Sequence, residues 1–405
     1  MNIAFFIPGL NSYFTHIKPF IDFDKNLINK YYILHLESIY NTKTQLKDDR
    51  VTFIDISKEF LFVKKIKELK LDFIIHLNPN HIFSLFIIYI AKSLQIKSIF
   101  FQHGLKIDFF KVNPKTLIKG KYKINKLLFS FKKYLFFYLY ISINFLFVQK
   151  KLKYLLVFIK KTSQLIFKTS EGLLHAKGSI LKCDMAFVYG TYDMNYLTKH
   201  LNYNEKEVII SGYPFLERTG FNPFQSNNSK KTVLYISSAL RIGGIIPISK
   251  KQEIIFYNNL LKQVTLANCR LIIKIHPLES LDFFQHEVFP NQNKNLKIYK
   301  DKNLSDLTIA SDVIISDYST ALFYGIKYYK PILILSSKYL DKYPFDFTRY
   351  GIGKKVKLEE ITNLLENIDL NTLIKKDKYE TFIKEYISHN DLSPYQIFFN
   401  KITEQ

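Results

Sequence analysis

Short apolar runs that recur along the chain constrain its fold more than any other feature of the sequence. In the first quarter of the chain each run is five to seven residues long, and an apolar helical segment separates the last two. Predominantly apolar runs of this length are typical of parallel strands that are buried on both faces of a sheet. The pattern predicts a doubly wound α/β domain. The predicted strands are residues 3–7, 31–36, 51–56, 71–77 and 97–101, and the predicted helix is 82–94.

The same pattern returns after a polar, turn-rich stretch at residues 219–231, which predicts an α/β chain of two doubly wound Rossmann-like domains. Ligands of such sheets bind outside the carboxyl ends of the strands, so we expect the domains to face a central cleft. We predict domains at 1–218 and 231–385, a linker at 219–230, and a C-terminal helix at 386–405 that packs back on the first domain. Further strands are predicted at 185–189, 208–210, 233–237, 271–275, 296–299, 313–315 and 332–335, with helices at 251–266 and 320–329.

The chain carries a large excess of positive charge, and much of it lies in one segment. The net charge of +23 favours anionic partners such as anionic lipid, nucleic acid or a phosphorylated substrate. Residues 105–162 hold fourteen lysines and one acidic residue, Asp108, and they include an uncharged, aromatic-rich run at 134–148. This run is shorter than the roughly 20 residues that a membrane span needs, and bracketing lysines indicate insertion into the headgroup region. We predict a membrane-associating helical insertion at about 105–180; the alternative is a buried hairpin with solvated lysines.

The sequence lacks the signatures of several other classes of protein. Two cysteines, Cys183 and Cys269, provide neither a disulfide framework nor a zinc pattern, which indicates a reducing compartment. The N-terminal residues have no basic region or cleavage site, so we expect no signal peptide. The GxGxxG and Walker spacings are absent, which counts against a dehydrogenase and an ATPase. There is no recognised RNA-binding module and no DxD-type cluster, so we expect no nucleic acid, metal ion or cofactor.

Two predicted strands deliver a histidine at their carboxyl ends. Gln102, His103 and Gly104 follow the strand at 97–101, and a neutral imidazole there can accept a proton near pH 7. A purely structural role for His103 is the alternative.

The second such histidine, His276, follows the strand at 271–275 and precedes Pro277, which restricts the backbone of His276 and fixes the exit of the chain. Lys274 lies two residues before His276, on the same side of the strand. Together they suit a phosphate oxygen.

Two further strand ends carry polar groups. Asp317, Ser319 and Thr320 precede a predicted helix, whose free N–H groups attract anions. The two hydroxyls add donors, although one of them is equally suited to cap the helix. Because Asp317 would repel phosphate, we expect it to orient the loop through backbone N–H groups.

The strand at 233–237 leads to a glycine-containing loop with an arginine. Ser238, Arg241 and Gly243 lie in this loop; Arg241 can pair with phosphate, and Gly243 allows the backbone to approach a ligand. Arg218, near the domain junction, either faces the cleft or forms an interdomain salt bridge.

In combination, these motifs resemble one enzyme family. The order QHG, GYP followed by an arginine, HP, and SDYST with a Tyr-Lys-Pro exit is similar to that of the CDP-glycerol glycerophosphotransferases, the teichoic-acid polymerases of GT-B fold. The resemblance is best over residues 311–335 and extends loosely from about 96 to 335. The HP and Ser/Thr motifs are also similar to those of bacterial sialyltransferases and polysialyltransferases, which use them to hold the phosphate of CMP-sugars. Gln102 replaces the family's tryptophan, and Arg218 lies further along than usual, which leaves the donor open.

The resemblance implies a metal-independent GT-B transferase. It implies His103 in catalysis, as a base or phosphate-pairing group, and His276, Ser319 and Thr320 at the donor phosphate. The first domain would face the acceptor and the second would bind the nucleotide. The enzyme would move a sugar or polyol-phosphate from a CMP- or CDP-linked donor, or a UDP-linked one, to a lipid-linked or polymeric acceptor. The product would be a bacterial capsule, teichoic acid or lipopolysaccharide, made at the cytoplasmic face of the cell membrane.

Two alternatives remain beside this expectation. One is a sugar-nucleotide 2-epimerase of the same fold, although ALFYG follows Thr320 where an acidic pair is expected. The other is a non-catalytic scaffold that binds membrane or nucleic acid.

Overall fold

The structure, a computed structural model, describes the chain apart from residues 8–9, 11–12, 25–28, 37–46, 60–61, 78–81, 103–181, 215–229, 240–247, 292, 318, 337–345, 368, 389–391 and 405. The described residues form two compact units. The first unit contains those from Met1 to Pro214 together with the C-terminal residues from Ser388 onward. The second unit contains those from Lys230 to Ile387.

The first unit is built on a sheet of seven parallel strands in the order β3-β2-β1-β4-β5-β6-β7. Strands β4 and β6 are buried along their whole length, which explains why their sequences are apolar without alternation. The strands are β1 (Asn2–Phe6), β2 (Lys30–His35), β3 (Val51–Asp55), β4 (Phe73–His76), β5 (Lys97–Phe101), β6 (Met185–Val188) and β7 (Val208–Ile210).

Helices connect the strands of the first unit. They are α1 (Lys18–Phe23), α2 (Phe62–Glu68), α3 (Ile82–Ser93) and α4 (Thr191–His200). A π-helical turn at Tyr13–Ile17 precedes α1, and a 3-10 turn at Glu205–Glu207 precedes β7.

The second unit repeats this architecture with six parallel strands in the order β10-β9-β8-β11-β12-β13. The strands are β8 (Thr232–Ile236), β9 (Arg270–Lys274), β10 (Leu296–Tyr299), β11 (Val313–Ser316), β12 (Ile332–Leu335) and β13 (Lys354–Val356). The helices are α5 (Lys250–Leu266), α6 (Leu304–Ile309), α7 (Leu322–Lys327), α8 (Ile361–Asn367) and α9 (Lys376–Phe382). Short π and 3-10 turns lie at Phe283–Val288, Phe347–Tyr350, Leu358–Glu360, Leu370–Leu373 and Ile383–Ile387.

The last helix, α10 (Pro394–Thr403), belongs to the core of the first unit. Ser393 caps its N-terminus by accepting from the N–H of Gln396 at 3.1 Å. The ring of Phe398 on this helix packs 5.0 Å from that of Phe187 and 5.8 Å from that of Phe101. The end of the chain therefore covers one face of the sheet that the N-terminal residues form.

In the second unit, one helix packs very closely against two strands of the sheet. Helix α7 lies against β11 and β12 so tightly that a Cβ on Gly325 would come within 2.7 Å of Ile314 Cδ1. A side chain at this position would force either the end of the Ile314 side chain or α7 itself to shift.

The predicted α/β fold of two doubly wound units is confirmed. The differences are local. The helix predicted at 320–329 is shorter, because residues 319–321 form a turn and Tyr329 has the left-handed φ of 50°. The edge strand β13 escaped prediction, since it is three residues long and contains two lysines. The proposed insertion at about 105–180 lies outside the described residues. None of the described helices has the length and apolar character that crossing a bilayer requires.

Candidate functional site

The second unit brings three of the predicted strand ends together. Strand β8 lies between β9 and β11, and the chain order reverses at β8, which makes this edge a topological switch point. All three strands are parallel, so their carboxyl ends meet at one edge of the sheet. Ser238 follows β8, His276 follows β9 and Asp317 follows β11. His276 and Ser319 thus emerge at the same edge of one sheet, on either side of β8.

Asp317 lies at the centre of this edge and is buried. Its carboxylate accepts from Ser238 Oγ at 2.7 Å and from the hydroxyl of Tyr235 at 3.2 Å. Burial raises the pKa of Asp317 to about 6, although the two hydroxyl donors act in the opposite direction. We expected backbone N–H donors; the donors in the described part of the chain are hydroxyls instead, because β8 places them beside the end of β11.

His276 lies half-buried in a tight turn after β9, and its ring has a defined orientation. The N–H of Leu278 donates to His276 Nδ1 at 3.1 Å. Because Nδ1 accepts, the hydrogen of the neutral imidazole is on Nε2. Burial, and then the charge of Lys274, lower the pKa of His276, so the ring is neutral at pH 7. His276 therefore offers an uncharged Nε2–H donor.

Glu279 restrains this turn through hydrogen bonds of its carboxylate, and we predicted no role for it from the sequence. Its carboxylate accepts from the backbone N–H of His276 at 2.7 Å and from Ser237 Oγ at 2.9 Å. The hydroxyl of Tyr257, on α5, donates to it at 3.4 Å. The signal in the sequence is a single glutamate three residues after the histidine in HPLE, which is too common a spacing to single out.

Ser319 and Thr320 lie half-buried in the turn before α7. Ser319 Oγ accepts from the N–H of Ala321 at 3.2 Å, a bond within the turn. The N-cap position of α7 is Ala321, so this bond is not the helix cap considered above. Because the hydroxyl is the acceptor in that bond, its own hydrogen remains available to a ligand.

Lys274 is held by contacts that we did not predict. Its ammonium donates to the carbonyls of Lys300, at 2.5 Å, and Ile275, at 3.4 Å. The side chain is thus held by the backbone that follows β10, and the predicted contact of Lys274 with phosphate stays a prediction. Pro277, in contrast, lies exposed in the turn as predicted for the exit of β9.

Gln102 lies in the first unit and serves its structure. Its side-chain Oε1 accepts from the N–H of Tyr189 at 2.8 Å, and its own N–H donates to the carbonyl of Phe187 at 2.9 Å. These bonds link the carboxyl ends of β5 and β6. The remaining predicted site residues lie outside the described residues: His103, Gly104, Arg218, Arg241 and Gly243.

Across the described ranges, no group of three or more His, Cys, Asp or Glu side chains is arranged to hold a metal ion. Among the described residues, this edge of the sheet carries the hydroxyls of Ser319 and Thr320 and the neutral imidazole of His276, and such groups suit the oxygens of an anion.

Comparison with protein families gives a match over residues 160–402, which is more than half of the chain. The matching family is CDP-glycerol:poly(glycerophosphate) glycerophosphotransferase. The chain belongs to this family. The matched residues of this family member include the whole second unit with its switch point. A comparison with curated protein sequences gave no match.

Solved structures resemble this glycerophosphotransferase family member along its whole length. A variant of the wall teichoic acid polymerase TagF has a TM-score of 0.59 at 13% identity, and a further TagF structure has 0.56 at 15%; each match covers 100% of this chain and 88% of TagF. The UDP-GlcNAc 2-epimerase of Methanocaldococcus jannaschii, solved with UDP-GlcNAc and UDP, has 0.52 at 11%, with 100% of both chains covered. At these identities the likeness establishes the GT-B class of fold.

The family and the fold together define the class of protein. It is an enzyme, a glycerophosphotransferase-like transferase of GT-B class, and it uses a nucleotide-linked donor.

Proposed function

We propose that this enzyme transfers a polyol-phosphate, with CDP-glycerol as the favoured donor, to a lipid-linked or polymeric acceptor in the synthesis of a teichoic acid. The family model supports the glycerophosphate unit. CMP- or UDP-linked sugars as donors, and a capsule or lipopolysaccharide as product, are the alternatives that the experiment below includes.

The observation that carries this proposal is the orientation of His276. Its Nε2–H is a donor of fixed direction at the carboxyl edge of a parallel sheet, where nucleotides bind in open α/β folds. When the bond to the nucleotide breaks, negative charge develops on the leaving phosphate, and a donor that is already oriented stabilises it without reorganisation. Because its pKa is lowered, the ring is neutral and serves as this donor at pH 7 and above.

The other groups have supporting roles in the proposal. Ser319 and Thr320 add hydroxyl donors to the leaving phosphate. Arg241 extends the donor site because it can pair with phosphate, and Gly243 because it allows the backbone to approach a ligand. By the resemblance to the family, His103 is the catalytic group, as a base or a phosphate-pairing group. With these donors in place, we propose that the reaction needs no metal ion or other cofactor.

The basic, aromatic-rich segment supports the proposal that the enzyme acts at the cytoplasmic face of the membrane. Residues 105–162 contain fourteen lysines and one acidic residue, a composition that binds anionic headgroups. A lipid-linked acceptor would be presented at that surface.

The proposed donor is tested by a screen of CDP-glycerol, CMP-sugars and UDP-sugars with a crude glycolipid acceptor, reading out the free nucleotide. We expect acceptor-dependent release of CMP from CDP-glycerol. Release from a UDP-sugar alone would show that the favoured donor is wrong, and an isomerised sugar nucleotide formed without acceptor would indicate an epimerase.

The role of His276 is tested by calorimetry with CDP-glycerol. We expect His276→Ala to weaken binding at least about tenfold, which corresponds to about 1.4 kcal/mol. His286→Ala is the matched control, because His286 is an exposed histidine of the same unit. Equal affinities of the two variants would contradict the proposed role.

A further inference from the structure

The turn from His276 to Glu279 is restrained more heavily than its length requires. Its ends are joined by the bond from the N–H of Glu279 to the carbonyl of His276 at 2.9 Å. The N–H of His276 returns to the Glu279 carboxylate at 2.7 Å. Lys300 Nζ donates to the Glu279 carbonyl at 2.8 Å. With the bond from Leu278 to the ring, both the backbone and the imidazole of His276 are held.

Glu279 is an unexpected residue for a merely structural turn. It is 1% exposed, and burial raises its pKa, which means that the fold opposes its charge. A backbone turn needs no buried carboxylate, and placing one in the interior is costly unless donors surround it. Three donors do so here: the N–H of His276, the hydroxyl of Ser237 and that of Tyr257.

The three donors come from three different elements, so Glu279 links these elements to one another. Ser237 follows β8, Tyr257 lies on α5, and His276 follows β9. The two hydroxyls also contact each other, at 3.0 Å, which leaves little freedom for the carboxylate. Through Glu279, the backbone of His276 is therefore held in place by β8 and α5 as well as by its own strand.

We propose that Glu279 is a positioning residue that acts through His276 and keeps the imidazole oriented as an Nε2–H donor toward the phosphate of the nucleotide-linked donor. This inference rests on the proposed function of His276. Without the Glu279 carboxylate, the N–H of His276 loses its acceptor, and only the bonds to backbone carbonyls still restrain the turn. The bond from Leu278 to Nδ1 then no longer fixes the ring, which can rotate and change tautomer.

A double-mutant cycle on the full chain separates positioning from general stabilisation. We expect Glu279→Ala to weaken the binding of CDP-glycerol about tenfold, as His276→Ala does, and the double variant to bind no more weakly than His276→Ala alone. Glu279→Gln should recover most of the affinity, because its amide oxygen can accept from His276 while its NH₂ group donates to the hydroxyls of Ser237 or Tyr257.

A buried carboxylate at the other end of the same strands provides the matched control. Asp312 accepts from the backbone N–H of Thr232, the first residue of β8, at 2.6 Å. Asp312→Ala should lower the thermal stability and leave the affinity for CDP-glycerol unchanged. The proposal is overturned if Asp312→Ala weakens binding as much as Glu279→Ala, or if the effects of Glu279→Ala and His276→Ala add.

A readout without ligand keeps this inference separate from the proposed function. With ¹⁵N-labelled histidine and His276→Ala for assignment, we expect a bare Nδ1 and a protonated Nε2 for His276 in the wild type, and a mixture of tautomers in Glu279→Ala. If the wild type binds no CDP-linked ligand, the proposed function fails while this measurement still decides the role of Glu279. If Glu279→Ala leaves the tautomer unchanged, Glu279 does not position the ring.

A milder variant covers the case in which Glu279→Ala does not fold. Ser237→Ala removes one of the hydroxyls that hold Glu279 and does not touch His276. We expect a loss of affinity of about threefold, which vanishes when His276 is already replaced. A loss that persists in the His276→Ala background would contradict the proposal.

Discussion

The two units share one strand order, yet their switch points have opposite character. In the first unit the register pairs Phe6, which ends β1, with His76, which ends β4. In the second unit the equivalent pair is Ile236, which ends β8, and Ser316, which ends β11. Ser316 Oγ donates to the carbonyl of Ile236 at 2.8 Å. His76 is completely buried against the ring of Phe6, and neither of its ring nitrogens has a hydrogen-bond partner among the described residues.

The contrast continues one residue further along. Leu77 follows β4 and joins the apolar core, whereas Asp317 follows β11 and accepts from Ser238 and Tyr235. The same backbone topology thus ends in an apolar layer in one unit and in a hydrogen-bonded carboxylate in the other. Topology supplies a place where a site can be built, and the side chains decide which of the two sheets carries it.

The largest expected effect concerns His76, the completely buried histidine of the first unit. Burial lowers the pKa of His76 to about 3, so below its ordinary pKa the unfolded chain binds a proton that the folded chain does not. Stability is therefore lost as the pH falls from about 6.5 toward 3, by roughly 5 kcal/mol over the whole interval. His76→Leu removes this loss. Hydrogen exchange of the β4 amides at pH 7 and pH 4, corrected for intrinsic rates, measures the difference.

The same experiment has an internal control, because the β11 amides report the second unit separately. They should show the same pH dependence in wild type and His76→Leu. If the first unit of the wild type is as well protected at pH 4 as that of His76→Leu, His76 has a polar partner and the comparison of the two switch points fails.

Asp317, the buried aspartate of the second unit, should make stability depend on pH in the opposite direction. The pKa of Asp317 is raised to about 6, so between the ordinary value of 3.8 and this value the folded chain holds a proton that the unfolded chain has lost. Stability is therefore lost as the pH rises through this interval, by about 3 kcal/mol in full. Asp317→Asn should reduce this slope and leave the part that Glu279 contributes, since burial raises the pKa of that carboxyl too; exchange of the β11 amides between pH 4 and pH 7 measures the change.

One outcome of the exchange measurement on Asp317→Asn would contradict the predicted pH dependence. If the second unit of Asp317→Asn retains the pH dependence of the wild type, then Asp317 is already ionised at pH 4 and the Ser238 and Tyr235 hydroxyls outweigh its burial. The switch point would then carry the charge of Asp317 over the whole interval from pH 4 to pH 7, and not only near its upper end.

Sequence reasoning found the strands because burial on both faces leaves uninterrupted apolar runs, as in β6 and β12. It found His276 and Asp317 because polar residues that directly follow such runs are conspicuous. It missed Glu279 because this residue interacts with the ends of two strands that are distant in sequence. It assigned Lys274 to a phosphate because strand alternation gives the side of a side chain but not the carbonyl that captures it.

The same limit applies to the first unit. His76 ends a predicted strand, as His103 follows another, and nothing local in the sequence distinguishes an imidazole sealed among apolar side chains from one that serves chemistry. That distinction depends on the residues packed above the strand end, which come from other elements. His76 is buried because β1 and β5 lie on both sides of β4 in the folded sheet.

The smallest expected effect is the one that tests the comparison at equivalent positions. Ser316→Ala removes the bond to the carbonyl of Ile236 inside the second sheet, and the loss of a typical buried hydrogen bond amounts to about 1 kcal/mol. The apolar replacement at the matching position of the first unit, His76→Leu, should at pH 7 leave the stability equal or greater, since it removes two polar atoms that have no partner among the described residues. Exchange of β11 and β4 amides at pH 7 gives the two values. Changes in stability of opposite sign would mean that the polar groups contribute hydrogen bonds at one switch point and not at the other. A loss of stability in both variants would mean that both positions depend on their polar groups, and that the two units are more alike than their contacts indicate.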